Sequence, residues 1–290
     1  MFLADGWKDF EVLDTGGGEK LERWGSVVLA RPDPQTIWKK QKPEMWKTAD
    51  ARYIRSERGG GSWEILRPLP ESWTVSYREL KFRVRPTGFK HTGLFPEQAA
   101  NWDWMSGLVS KRVSSGKPCK VLNLFAYTGG ASVACAAAGA SVTHVDAAKG
   151  MVTWAKENRQ ECGLPEERFR FIVEDALAFV RREIRRGNSY DGILMDPPSY
   201  GRGPNGEVWK LEDEVFSLVS TCASALSANP LFFLVNSYTT GFQPTVLNNL
   251  ISYTVCRNFG GKADAQELCL PVSSGGLLPC GASGRWQSNE

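Results

Sequence analysis

The chain has 290 residues, 42% of them hydrophobic and 23% charged, and a net charge of +3. This composition is typical of a globular protein with one large core or two smaller ones. No run of about 18 apolar residues occurs, so no transmembrane helix is expected. The N-terminus lacks a basic stretch followed by a long apolar one, and no secretory signal is expected. Seven cysteines form no C-x-x-C pair, which argues against a metal site or a disulfide framework and favours a cytoplasmic protein.

Residues 1–90 are predicted to form a small β-rich domain. Alternating stretches such as "WTVSYRELKFRVRP" predict strands, and "DTGGGEK" marks a tight turn. Within this part, residues 31–90 contain 14 Lys/Arg against 7 Asp/Glu, together with Trp38, Trp46, Trp63 and Trp73. Basic residues interleaved with aromatic ones suit RNA phosphates and bases. The same tryptophans would equally serve as the core of a small β domain, and both interpretations stay open.

Residues 91–118 are predicted to connect this domain to a second one, with a helix over 96–112. From residue 119 onward, apolar strands alternate with helices. The strands are "KVLNLF", "SVTHVD", "FRFIVED", "YDGILMD" and "LFFLVNSY". This alternation predicts an α/β fold with a doubly wound, mostly parallel, Rossmann-like sheet over 119–290. A helix is expected at 244–260. The strand "QELCLPV" that follows it and a last short strand near 279–286 are expected to add a C-terminal antiparallel hairpin.

Polar and glycine residues follow the predicted strands at the point where each strand ends. They are Asn123, Tyr127, Thr128, Gly129 and Gly130 after the first, Asp146 after the second, Glu174 and Asp175 after the third, and Asp196 after the fourth. Ligands of doubly wound sheets bind outside the carboxyl ends of the strands. A single acid there could be a helix N-cap, but four such ends together favour a ligand site.

The glycine pattern narrows the class of ligand. The loop after the first predicted strand, "AYTGGAS", has adjacent glycines without the G-x-G-x-x-G spacing, and the chain has no G-x-x-x-x-G-K-[ST], which argues against a dinucleotide or a nucleoside triphosphate. The 17 residues from Gly129 to Asp146 suit a carboxylate that accepts from both ribose hydroxyls, and Asp175 is placed to accept from an adenine amino group. An adenosine without pyrophosphate fits, and S-adenosylmethionine is the obvious candidate.

The stretch "MDPPSY" ends the fourth predicted strand, because Pro197 and Pro198 cannot donate to a sheet ladder. An Asp196 oxygen and the Pro197 carbonyl could both accept hydrogen bonds from an exocyclic amino group. Tyr200 could stack on a flipped base and hold it for methyl transfer. The alternative is a strand end followed by an ordinary turn.

Residues 90–286 resemble class I S-adenosylmethionine-dependent methyltransferases, in the branch that includes bacterial large-subunit ribosomal RNA cytosine-C5 methyltransferases. The matching segments are "KHTGLFPEQ", "VLNLFAYTGGAS", "VDAAKGMVTWAKEN", "ED" at 174–175 and "MDPPSY". The resemblance implies that Phe95 and Gln98 close over the cofactor and that Asp146 holds the ribose. The cofactor-binding residues expected in total are Phe95, Gln98, Asn123, Phe125, Tyr127, Thr128, Gly129, Gly130, Asp146, Ala147, Asp175 and Ala176. The expected catalytic residues are Asp196, Pro197, Pro198 and Tyr200, and no metal is expected.

The chain departs from this branch after the fifth strand. Methylation at cytosine C5 requires a cysteine thiolate, which the family carries at that position, whereas this chain has Asn236, Ser237 and Tyr238. The sequence therefore predicts a methyltransferase of RNA, ribosomal RNA in particular, that acts at another atom. The alternatives are a protein or small-molecule N-methyltransferase and a non-catalytic RNA-binding module. The sequence carries no signal of oligomeric state.

Overall fold

The computed structural model describes residues 1–56, 60–202, 208–239 and 241–289. The chain divides into two compact units. The large unit contains Met1–Phe2, Asn101–Leu268 and Gly281–Glu290, and the small unit contains Leu3–Ala100 and Cys269–Cys280. The division at residues 90 and 118 into a small β-rich domain, a connecting segment and a catalytic domain stays a prediction.

The first hundred residues form short strands, as the sequence predicts. They are β1 (Phe2–Leu3), β2 (Phe10–Gly16), β3 (Glu19–Trp24), β4 (Val27–Pro32), β5 (Ala51–Arg55), β6 (Gly61–Ile65), β7 (Trp73–Tyr77) and β8 (Leu80–Val84). Strands β2 to β6 form one sheet in chain order, and β7 pairs antiparallel with β8. Their alternation buries Val75, Tyr77, Phe82 and Val84, because successive side chains point to opposite faces.

The rest of the chain alternates strands with helices. The strands are β9 (Lys120–Leu124), β10 (Ser141–Asp146), β11 (Phe169–Val173), β12 (Gly192–Met195), β13 (Tyr200–Arg202), β14 (Val208–Lys210), β15 (Phe232–Ser237), β16 (Ala263–Pro271) and β17 (Leu277–Gln287). The helices are α1 (Ala99–Ser114), α2 (Gly130–Ala137), α3 (Lys149–Glu161), α4 (Ala176–Arg185), α5 (Leu211–Ala223), α6 (Pro244–Ile251) and α7 (Arg257–Phe259). None of the helices in the described ranges is long and apolar enough to cross a membrane.

The main sheet has the strand order β1-β16-β17-β15-β12-β9-β10-β11. Strands β15, β12, β9, β10 and β11 are parallel to their neighbours among themselves, and β17 lies antiparallel to β15. The prediction of a doubly wound, mostly parallel sheet with antiparallel strands at its C-terminal side is confirmed.

Side chains of the central strands are sorted between the two faces of the sheet. Leu122, Leu124, Met195 and Val235 belong to one buried apolar cluster with residues of α4, α5 and α6. Because strand residues alternate, Asn123 and its equivalents on neighbouring strands lie on the opposite face. That opposite face carries buried polar groups, among them Asn123 and His144.

Two predicted elements differ in detail from the structure. The helix expected at 96–112 begins with a 3-10 turn, Pro96–Gln98, before α1. The helix expected at 244–260 changes to a π-helical segment at Ser252–Cys256. There the Thr254 hydroxyl donates to the carbonyl oxygen of Leu250 at 2.7 Å, and such a side-chain bond competes with the regular helical ladder.

His144 of β10 lies completely buried on the polar face of the sheet. Its Nδ1 is 3.0 Å from the Ser132 hydroxyl, which in turn accepts from the Asn123 amide at 2.9 Å. Its Nε2 has no hydrogen-bond partner within the described part of the chain. Burial lowers the pKa of His144 to about 3, because the charged imidazolium would lose its hydration.

This burial predicts a loss of stability in weak acid. Folded His144 stays neutral above about pH 3, whereas the unfolded residue takes up a proton near pH 6.5. Because the unfolded state binds more protons, the free energy of unfolding should fall between pH 7 and pH 5, by about 2 kcal/mol for this residue. Urea denaturation of wild type and of His144→Gln at both pH values measures the difference.

The other histidine supplies the control. Burial, with nearby Arg31 and Lys90, lowers the pKa of His91 to about 4. In His91→Gln, the free energy of unfolding should therefore still fall between pH 7 and pH 5 by the amount that is due to His144. An unchanged pH slope in His144→Gln would show that His144 is not the titrating group.

Candidate active site

The carboxyl ends of the parallel strands meet along one edge of the sheet. In the ladders, Leu124 lies opposite both Val145 and Met195, and Met195 lies opposite Val235. The residues that follow these strands therefore lie at the same edge. The predicted residues that lie at the ends of β9 to β12 or within six residues after them are Asn123, Phe125, Tyr127, Thr128, Gly129, Gly130, Asp146, Ala147, Asp175, Ala176, Asp196, Pro197, Pro198 and Tyr200.

Two of the predicted cofactor residues belong to the small unit. Phe95 precedes the 3-10 turn, and the Gln98 N–H donates to the Phe95 carbonyl at 3.1 Å. Their closure over a cofactor stays a prediction.

The loop after β9 has an unusual backbone. Phe125 and Tyr127 have φ values of +54° and +51°, in the left-handed region that side chains other than glycine rarely adopt. The Tyr127 N–H donates to Asp146 Oδ2 at 2.8 Å, and the Ala126 N–H donates to the Val145 carbonyl at 3.1 Å. These bonds to β10 hold the loop in a conformation that would otherwise be costly.

Asp146 lies at the centre of this arrangement. Its Oδ1 accepts from the Ala148 N–H at 2.8 Å, while Oδ2 accepts from Tyr127. Burial raises the pKa of Asp146 because these two backbone donors only partly offset the lost hydration. Each carboxylate oxygen can accept a second bond, so two hydroxyl donors of a ligand would complete the hydration that burial removes. The carboxylate therefore fits a ribose diol.

The glycines of the loop allow close contact with two helices. A Cβ at Gly129 would lie 2.9 Å from the Cβ of Ala155, and one at Gly130 would lie 2.7 Å from the Trp102 ring. Asn158 of α3 donates to the Thr128 carbonyl at 2.8 Å, from within the core. The backbone of the loop is thus packed directly against α1 and α3.

Asp175 serves as the N-cap of α4. Its Oδ1 accepts from the Ala178 N–H at 2.8 Å, and its side chain is exposed. Neighbouring Glu174 pairs with Arg182, and Ala176 is buried. The sequence allowed a helix-cap role for Asp175, and the structure shows that cap. A ligand contact would use the other carboxylate oxygen, Oδ2.

The turn after β12 is held rigidly. The Trp209 indole N–H donates to the Pro198 carbonyl at 2.7 Å, and the Leu211 N–H donates to the Ser199 carbonyl at 3.1 Å. The Ser199 hydroxyl lies 2.5 Å from the hydroxyl of Thr239, which follows β15. Tyr200 starts the short ribbon of β13 and β14, with half of its side chain exposed.

The last two residues of β15 and Tyr238, which follows the strand, provide no thiol for covalent chemistry. Asn236 and Ser237 are buried, and Tyr238 is partly exposed. Cys222 of α5 is completely buried in the apolar core, and burial raises the pKa of its thiol. Burial likewise raises the pKa of the Cys256 thiol. Within the described ranges no group of three His, Cys, Asp or Glu side chains could hold a metal ion.

The sheet, its loop after β9 and the acids at its strand ends define a class I methyltransferase. A family model for S-adenosylmethionine-dependent methyltransferases matches residues 45–209, and the chain belongs to this family. Its cofactor is S-adenosylmethionine, and the ribose-compatible carboxylate of Asp146 fits that molecule.

Solved structures support the same assignment. An S-adenosylmethionine-dependent methyltransferase from Agrobacterium tumefaciens is 38% identical, with a TM-score of 0.92 over 99% of this chain and 92% of that one. The crystal structure of SMU.776 with bound S-adenosylhomocysteine shares the fold, at 20% identity and a TM-score of 0.74 over 97% of this chain and 76% of that one.

Curated relatives are named ribosomal RNA large subunit methyltransferase K/L. The protein of Colwellia psychrerythraea is 28% identical over 216 residues, which is 74% of this chain and 27% of that protein. The protein of Shewanella baltica is 34% identical over 149 residues, 51% of this chain and 20% of that protein. The chain thus spans about a quarter of the length of these relatives.

The tight packing at Gly129 can be tested against a matched glycine. Gly163 also has a left-handed backbone, φ +62°, but no atom lies near its absent Cβ. Gly163→Ala should lower the free energy of unfolding by about 1–2 kcal/mol through backbone strain alone. Gly129→Ala should cost about 1–3 kcal/mol more, because Ala155 must move. Equal losses in urea denaturation would contradict the close approach.

Proposed function

We propose that the protein methylates RNA, ribosomal RNA in particular, at a nitrogen atom of a base. The observation that carries the proposal is the rigid Asp196–Tyr200 turn, which stands at the same sheet edge as Asp146 and exposes half of the Tyr200 side chain. The names of the curated relatives support RNA as the substrate. An enzyme of ribosomal RNA would work in the cytoplasm, and the proposal includes that location.

In this proposal each part of the turn has one task. An Asp196 oxygen and the Pro197 carbonyl accept hydrogen bonds from the amino group of the base, and the Tyr200 ring stacks on it. Pro198 acts by fixing the turn, since its carbonyl already accepts from Trp209. Bound S-adenosylmethionine supplies a methyl group that its sulfonium makes electrophilic. The chain therefore contributes mainly orientation and the exclusion of water.

The cofactor residues have corresponding tasks. Asp146 accepts from the ribose hydroxyls, and Asp175 accepts from the adenine amino group with the oxygen that does not cap α4. The loop residues Tyr127, Thr128 and Gly129 shape the wall against which the cofactor lies. Asn123, Phe125, Gly130, Ala147 and Ala176 complete this set, and Phe95 and Gln98 close over it.

A nitrogen target is supported by the residues at the end of β15. Cytosine C5 becomes nucleophilic only after a thiolate adds to the ring. The chain offers Asn236, Ser237 and Tyr238 where that thiolate would stand, and its core cysteines have raised thiol pKa values. An amino group or a ring nitrogen needs no such step.

The test is transfer of labelled methyl from S-adenosylmethionine into total bacterial RNA and protein, with identification of the modified nucleosides. Label in an N-methylated nucleoside is expected. Label in 5-methylcytidine would overturn the nitrogen target. Label in protein alone would replace RNA by a protein amide or amine as the substrate, and no transfer at all would favour a non-catalytic RNA-binding role.

Two variants separate the cofactor site from the acceptor site. Asp146→Asn removes one of two acceptor oxygens and should raise the cofactor Kd about ten- to a hundredfold. Asp196→Ala should leave that Kd within about threefold but abolish most turnover, since it removes the acceptor oxygen for the base. Calorimetry and the transfer assay measure the two properties. Equal losses of both properties in both variants would mean that the two sites are assigned wrongly.

The small unit has a surface suited to RNA phosphates. Its four sequence-predicted tryptophans each donate their indole N–H within the unit, to Thr15, Asp14, Thr87 and Trp24. These contacts favour the interpretation of the tryptophans as structural. Lys39 and Lys42 are exposed next to Trp38, which is 38% exposed. We therefore assign the RNA contact to these lysines rather than to the tryptophans as a group.

Charge reversal of these lysines should weaken RNA binding without affecting the cofactor. Lys39→Glu with Lys42→Glu should lower the slope of log K against log salt by about 0.7 for each lost phosphate contact to single-stranded RNA. The control pair is Lys111→Glu with Lys262→Glu, two exposed lysines of the large unit. Equal effects of both pairs on RNA affinity would show only a general charge effect and would contradict the assignment.

A further inference from the structure

A chain of buried polar side chains ends at Asn236, near the end of β15. It consists of Asn101 at the start of α1, Asn236 of β15, and Ser283 and Arg285 of β17. Asn101 and Ser283 are completely buried, and Arg285 is 9% exposed. None of these residues has a task in the proposed function.

The chemistry of arginine fixes the direction of every bond in this chain. Arg285 Nε donates to Asn101 Oδ1 at 2.8 Å, and the Ser283 hydroxyl donates to the same atom at 3.1 Å. A guanidinium has donors but no acceptor, so the atom of Asn101 that faces it must be the oxygen. The usual ambiguity between the oxygen and nitrogen of an amide is thereby removed.

The orientation of the Asn101 amide also fixes that of the Asn236 amide. Since Asn101 presents its oxygen to Arg285, its Nδ2 faces Asn236 and donates to Asn236 Oδ1 at 3.1 Å. An amide NH₂ group can only donate, so Asn236 must present its oxygen there. The NH₂ group of Asn236 is therefore turned away from Asn101.

Arg285 is well anchored for this task. Its guanidinium carbon lies 3.5 Å from the centre of the Phe2 ring and 5.1 Å from that of Trp104. Burial lowers the pKa of Arg285 to about 10, which still leaves it protonated and donating at neutral pH.

The end of this chain lies beside Asp196. Met195 and Val235 are paired in the parallel ladder, so Asp196 and Asn236 are the next residues outward on neighbouring strands. Met195 and Val235 both belong to the apolar cluster on one face. Because side chains alternate along a strand, Asn236 faces the other side of the sheet, and Asp196, the first residue after β12, is the next position on the neighbouring strand.

We propose that Asn236 is the hydrogen-bond donor of the acceptor-base site, next to Asp196 as its acceptor, and that Arg285 and Asn101 hold its amide in the donating orientation. This inference rests on the proposed function. Paired in this way, the two side chains recognise an amino group next to a ring acceptor atom on the same base. Uracil, which has no amino group, is the base that such a site rejects.

The first variant is Asn236→Asp, which keeps the shape and can still accept from Asn101. It has no donor and places a second carboxylate next to Asp196. We expect a fall in kcat/KM for RNA of about ten- to a hundredfold, with the cofactor Kd within about threefold.

The second test concerns the orientation of the amide. Arg285→Lys keeps a side chain that can only donate, whereas the amide of Arg285→Gln can present either its oxygen or its NH₂ group to Asn101. Arg285→Gln should therefore lose about tenfold in kcat/KM, and Arg285→Lys should retain several-fold more activity than Arg285→Gln. In the Asn236→Asp background, Arg285→Gln should add almost nothing, because both changes act through one amide.

Arg112→Gln is the matched control for general destabilisation. Arg112 is also a largely buried arginine of the large unit, paired with Asp191 just before β12, at the opposite end of the strand from Asp196. It should transfer methyl groups at the wild-type rate at 25 °C.

Equal activity of wild type and Asn236→Asp would overturn the inference, and so would equal losses in Arg285→Lys and Arg285→Gln. Additive effects in the double variant would do the same, since Arg285 would then act by another route. Absence of label in RNA with the wild-type enzyme would overturn the proposed function, and the inference with it. If the wild-type enzyme labels RNA and the Asn236 and Arg285 variants have the wild-type kcat/KM, only the inference is overturned.

Discussion

The site depends on where β9 stands in the sheet. It pairs with β10 on one side and with β12 on the other, so the chain winds outward from it in both directions. At such a switch point the loops after neighbouring strands diverge and leave a crevice. The loop after β9 borders this crevice, with Asp146 on one side and Asp196 on the other. Exchange of any two of these strands would separate the residues that the proposed chemistry needs together.

The cofactor side of the crevice combines strain with incomplete hydration. Phe125 and Tyr127 adopt left-handed backbones, and the N–H of Tyr127 is held by Asp146. The same carboxylate is buried enough that its pKa is raised. The folded chain therefore has an acceptor that two hydroxyl donors would satisfy. The Asp146 carboxylate therefore both fixes the loop and is the group that would receive the ribose.

The proposed acceptor side is held from several directions. Trp209 fixes the Pro198 carbonyl, and Thr239 joins Ser199 to the segment after β15. On the other face, Arg285 sets the orientation of two asparagine amides in succession. Each of these contacts limits how far Asp196, Tyr200 and Asn236 can move relative to one another. For a reaction that depends on alignment, this rigidity is the main contribution a protein can make.

Local sequence patterns sufficed for the five parallel strands of the main sheet and for the class of fold. Alternation and apolar runs depend only on nearest neighbours along the chain, and so do the prolines that end β12. The same reasoning gave the helix at 244–260 without its π segment, because the Thr254 hydroxyl bond depends on the rotamer adopted in the fold. It considered Asn236 only as a position without cysteine, and it did not identify Asn101 or Arg285.

The sequence by itself determined that this is a doubly wound methyltransferase with an adenosine-compatible edge, because each strand carries its own end residues in the next few positions. Only the tertiary structure decided which way the amide of Asn236 faces. That direction comes from Arg285, 49 residues later in the chain, acting through Asn101, 135 residues earlier. Such an effect has no local pattern, since hydrogen-bond polarity is passed only between groups that the fold brings within about 3 Å.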